Sequence, residues 1–150
     1  MNKLENTYSE SMLKLEEADN LQKRMLDTYQ RLEQFKYAGT ILSWQQIQQK
    51  FEILQTIEDL RQERDKKLNE ALSKALDIFS DEIDLNLDNY SATNNVFSSI
   101  TSFIVSNNIQ FRYSVEVWSK ILKVIEKLRL KNNIDRAKAI LDAISSKQQI

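Results

Sequence analysis

The sequence predicts an all-α protein: a long antiparallel helical hairpin, coiled-coil-like, followed by a small C-terminal helical bundle. Three observations carry this. The 150 residues include no proline and one glycine, while 29% are charged and 41% hydrophobic, a mixture suited to long amphipathic helices and poor in turn punctuation. Apolar residues recur at steps of three and four along two stretches of similar length. The lone glycine, Gly39, falls between those stretches, where its access to the left-handed region can close a helix. One domain is expected at this length. It divides into a hairpin over 1–79 with its tip at 38–43, an acidic and polar connector over 80–95, and the C-terminal bundle over 96–150.

The first arm presents Leu4, Tyr8, Met12, Leu15, Ala18, Leu21, Met25, Tyr29, Leu32 and Phe35, close to the 3.5-residue repeat of a coiled-coil seam. Leu13 and Leu26 widen that stripe. Asp19 with Lys23, and Asp27 with Arg31, set an acid four residues before a base, the favourable order on an exposed helix face. At the tip, Ser43 and Gln46 have the spacing of a capping box, and Leu42 and Ile47 stand where a hydrophobic staple would.

The second arm continues through Trp44, Ile47, Phe51, Leu54, Ile57 and Leu60, crosses the charged run Arg61–Lys67, and resumes at Leu68, Leu72, Ala75 and Phe79. That run has no glycine, proline, asparagine or serine. One continuous helix to about Phe79, with a solvated midsection and pairs at Glu63–Lys67 and Glu70–Lys74, is therefore expected. Folding about Gly39 would set Arg61 and Arg64 level with Glu16 and Glu17.

From Ser80 to Asn95 aspartate, asparagine, serine and threonine crowd together, residues that bond their own backbone and favour turns and caps. Asparagine pairs at Asn94–Asn95, Asn107–Asn108 and Asn132–Asn133 stand in for glycine and proline as punctuation. Val96, Phe97, Ile100, Phe103 and Ile104 have helical spacing, though β-branching leaves a strand open. Ile109–Tyr113 alternates like a strand. Ser114 caps an amphipathic helix through Val115, Trp118, Ile121, Leu122, Ile125 and Leu128, and a last helix carries Ile134, Ala137, Ile140, Leu141 and Ile144.

Composition excludes much chemistry. There is no cysteine and no histidine, so disulfides, thiol catalysis, serine triads, the usual zinc sites and Glu-x-x-His di-iron bundles are out. One glycine cannot build a phosphate-binding loop. Acids such as Asp81, Glu82 and Asp84 are expected to be solvated rather than catalytic. No enzyme activity, cofactor or metal is expected. The N-terminus lacks the apolar core of a signal peptide, and the run Val96–Val105 is about half a bilayer span. A cytoplasmic or other reducing intracellular location is the default expectation.

What remains is interaction. Arms of about 36 residues would be roughly 54 Å long and protrude from any compact body of this size. Tyr37, Ile41 and Trp44 cannot all turn inwards at a tight tip, and a two-helix coil leaves Leu13, Leu26 and Ile53 partly exposed. These six residues are the candidate partner-binding set, for self-association or for a helical protein that completes the bundle. Net charge is −1, yet Ala75–Phe111 has acids only, and bases dominate after Arg112. Lys120, Lys123, Lys127 and Lys131 form a basic stripe that could meet a nucleic acid or acidic partner. The favoured reading is that it meets the chain's own acidic segment. A helix-turn-helix, with Arg136 and Lys138 opening its recognition helix, is a weaker reading of the same region.

Overall fold

Two long helices set the frame. α1 runs over Lys3–Gln30 and tightens into a 3₁₀ turn over Arg31–Phe35, and α2 spans Trp44–Asp84. The computed structural model describes residues 3–36, 41–86, 89–131 and 133–145. Tyr37 and Gly39, which the sequence places at the tip, lie outside the described residues. The start of α2 forms as expected. Ser43 Oγ accepts from the Gln46 amide at 3.2 Å, and the Gln46 side chain accepts from the Ser43 amide at 2.9 Å. With 41 residues, α2 is roughly 60 Å long. Arg61–Lys67 passes through it unbroken: the run has no glycine, proline, asparagine or serine, and the side chain of its one aspartate, Asp65, is taken up by Arg61 and Arg64.

The seam between the arms differs in phase from the apolar pattern. α1 buries Ser11, Leu15, Ala18, Gln22, Met25 and Thr28, so half of its seam is polar. Opposite them α2 buries Ile53, Ile57, Leu60, Arg64, Leu68, Ala71 and Ala75. Fully buried Ala18, Ala71 and Ala75 let the helices approach closely enough for Ser11 Oγ to donate to the Ala71 carbonyl at 2.8 Å. The charged midsection is not simply solvated. Arg64 is buried, and donates to Gln22 Oε1 at 2.8 Å while pairing with Asp65 at 2.7 Å.

This polar layer separates two cores. Above it, Met25, Ile53, Ile57 and Leu60 make a small distal cluster. Below it, Leu15, Ala18 and the stretch of α2 from Leu68 to Ile83 share one large core with the C-terminal helices.

Register is fixed by ion pairs across the arms: Glu10–Lys74 at 2.9 Å, Lys14–Glu70 at 3.1 Å and Glu17–Lys67 at 3.2 Å. Each pair is symmetric in sequence about Leu42, not Gly39, so Glu17 faces Lys67, about one turn beyond Arg64. The tight fold about the glycine is thereby corrected. The same lysines are drawn away from their expected partners within α2: Lys67 reaches Glu17 and Lys74 reaches Glu10.

α3 occupies Ser91–Ser106, α4 Val115–Leu130 and α5 Ile134–Ser145. α2 runs past Phe79 to Asp84, which leaves a connector of only 85–90. Asn94 and Asn95 lie inside α3 instead of punctuating it. α3 is helical, with Thr93, Val96, Ile100 and Ile104 buried at steps of three and four, the spacing that outweighs its β-branched content.

Its end is a Schellman motif with asparagine doing glycine's work. Asn108 takes φ 51°, its amide donates to Val105 and that of Ile109 to Ile104. Ile109–Tyr113 is extended, with Ile109 and Phe111 buried and Gln110 and Arg112 exposed. The alternation is that of a strand, but no strand partner exists among the described residues. Asn69 of α2 secures this segment, donating to the Arg112 carbonyl and accepting from the Ser114 amide. Ser114 Oγ then caps α4 at the Val117 amide.

Candidate interaction surface

α2 carries two apolar faces in its distal half. At about 100° per residue, Ile53 lies within roughly 20° of Leu60, while Phe51 stands opposite it. Ile53 is accordingly buried, at 4% exposure, against the expectation that it would help form an exposed stripe. Trp44, Ile47, Phe51 and Leu54 are the residues left outside, at 81, 47, 66 and 45% exposure. Sequence reading had run them into the seam with Ile57 and Leu60. Their steps of three, four and three keep them in line with one another but out of phase with the buried face.

Ile41, at 87% exposure, lies just ahead of α2 and is exposed as well. On α1, Leu26 and Tyr29 are half exposed in the same distal half. Leu13 is also half exposed, but it belongs to a separate shallow groove near the base with Tyr8, Met12 and Phe103. Of the six candidate partner residues, then, Ile41 and Trp44 are neighbours, Leu26 and Leu13 sit apart, Ile53 is interior, and Tyr37 lies outside the described residues.

The basic stripe has partners within the chain. Lys120 reaches Asp77 at 2.9 Å and Ser73 Oγ at 2.6 Å. Seven residues on, Lys127 repeats the arrangement with Asp84 at 2.9 Å and Ser80 Oγ at 2.5 Å. Lys131 donates to the Ile83 carbonyl at 2.6 Å and to the Asn86 side chain. This matched heptad spacing sets α4 parallel to α2. Lys123, between Lys120 and Lys127 on the same side of α4, is exposed. Arg136 does not stand out from a recognition helix. Its guanidinium lies 5.6 Å from the Phe79 ring centre and 5.1 Å from that of Tyr90, and donates to Asn94 at 2.8 Å.

No protein-family model, curated protein or solved structure matches the chain. Among the described residues no helix is long and apolar enough to cross a membrane, and no three acids converge as metal ligands would. Glu82, considered above as a carboxylate for chemistry, is buried and bonded to the amide and hydroxyl of Thr93. Sequence reasoning missed Gln22 and Asn69 as organising residues and set Arg64 against Glu16 and Glu17 instead of Gln22, because each of these contacts joins positions about 40 apart. The phase of Ile53 against Leu60 was the available signal for the exposed row.

Proposed function

We propose that the chain is a non-catalytic helical interaction protein, an assembly subunit, adaptor or chaperone, which binds through the outer face of its distal hairpin. One observation supports this reading above the others: Trp44, Ile47, Phe51 and Leu54 form an exposed apolar row on a helix whose opposite face is already buried. Rows of this kind serve helix-to-helix contacts. A second copy suits it. Two copies laid antiparallel about this row bring Trp44 to Leu54 and Ile47 to Phe51, and no like charges face each other between those positions.

Light scattering coupled to size exclusion tests this. The wild-type chain is expected at twice 17.7 kDa, and Phe51→Lys as a monomer with unchanged helicity. A monomer at every concentration, with no helical partner bound stoichiometrically, would sink the reading. The nucleic-acid alternative is weaker, since Lys120, Lys127 and Lys131 already spend their charge on Asp77, Asp84 and the end of α2.

A further inference from the structure

α3 and α4 each lie along α2, but among the described residues they do not close on one another. Between them is a cleft of about 180 Å³, floored by Leu72, Leu76 and Phe79 and walled by Ile100, Val117 and Ile121. These walls are among the most deeply buried side chains of the base. Arg136, reaching in from α5, is the one cation lining the cleft among the described residues, and no acid lines it. Its guanidinium lies over the Phe79 and Tyr90 rings, with one Nη donating to Asn94. Its Nε is closed to solvent, so the edge a ligand can reach is that of the Nη groups. The Nη groups carry more N–H donors than the one given to Asn94, and arginine presents such donors to a carboxylate in a fixed plane.

We propose that this cleft binds an amphipathic carboxylate, with a chain or ring of about six to ten carbons between α3 and α4, and its carboxylate on Arg136. The size follows from comparison: an apolar protein cavity of roughly 150 Å³ accommodates benzene, and this cleft is slightly larger and open at one side. The apolar walls supply affinity without direction. Arg136 supplies the discrimination between an acid and a neutral analogue. The site is independent of the distal row, which lies on the other side of the Gln22–Arg64 layer.

Octanoate and octanol are suitable probes, titrated into the full chain while methyl resonances are followed by NMR. Octanoate is expected to shift Leu72, Leu76, Ile100, Val117 and Ile121 with one saturable midpoint, and octanol the same methyls at about ten- to hundredfold weaker affinity. Arg136→Met should reduce octanoate to the octanol level, with Arg136→Lys intermediate. Thr101→Trp, which fills the rim, should lose both probes. Unmoved methyls under millimolar octanoate, equal binding of the two probes, an unaffected Arg136→Met, or shifts centred on Trp44 and Phe51 would each overturn the assignment.

Discussion

Glu82 holds a carboxylate in a site nearly closed to solvent, and its partners are the amide and hydroxyl of one residue, Thr93. An acid from α2 thus caps α3, whose own N-cap residue, Tyr90, sits at φ 47° and offers no side-chain bond. Negative charge at a helix start is favoured by the exposed amides there. Glu82→Ala should cost about 2–4 kcal/mol in urea unfolding, because it leaves buried donors unpaired and opens a hole. Glu82→Gln, which keeps an acceptor, should cost less. Equal costs would show that packing alone accounts for the residue. Arg64 is the second such case: with Gln22 it spans the two arms at 2.8 Å in a buried layer. A double-mutant cycle of Arg64→Met and Gln22→Leu should give a coupling of about 1–2 kcal/mol. Strict additivity would mean that the layer is tolerated rather than cohesive.

At the scale of the element, the hairpin depends on charge as well as on its seam. A hydrogen bond from Lys67 lowers the Glu17 carboxyl, and hydrogen bonds from Arg61 and Gln62 lower Glu58 from 4.5 to about 2. The unfolded chain takes up these protons first as pH falls. Their stabilisation is therefore complete above about 4.5 and lost as pH falls below it, for Glu58 as pH drops towards about 2. Lys14, bonded to Glu70, and Lys74, bonded to Glu10, are raised above their ordinary 10.5. That contribution is present below 10.5 and lost as pH rises past it. Melting temperature should thus be flat across the neutral range and fall on both sides. All these groups are largely solvated, so each step should be modest and shrink with added salt. A melting temperature that rises on acidification would contradict the assigned pairs.

At the scale of the molecule, one chain carries two cores of unequal size. The base unites α1, α2 and the C-terminal helices around Phe79, Leu76 and Ile83, while the distal core rests on Met25, Ile53, Ile57 and Leu60. Phe79→Ala should cost about 3–5 kcal/mol and lower the global transition. Amide exchange should find the distal α2 turns around Ile53 opening well before those around Leu76, since fewer apolar contacts hold them. Uniform protection along α2 would refute the division. Much of this plan was legible in the sequence. The unbroken course of α2 and the starts at Ser43 and Ser114 follow from neighbours three or four residues apart, which any reader of the chain can see. The polar seam at Ser11 and Gln22 was not legible, because each is buried on a partner, the Ala71 carbonyl and the Arg64 guanidinium, that the fold must bring to it.

By itself the sequence determined that the protein would be helical, where α2 and α4 would start, and that lysines would recur along one face of α4. Tertiary structure decided the rest: that Ile53 turns inwards while Phe51 stays out, that the arms are symmetric about Leu42, and that Lys120 and Lys127 meet Asp77 and Asp84. The physical reason is common to all three. Periodicity within a helix defines its faces, but which face is covered, and at what register, is set by the shape and charge of the helix laid against it.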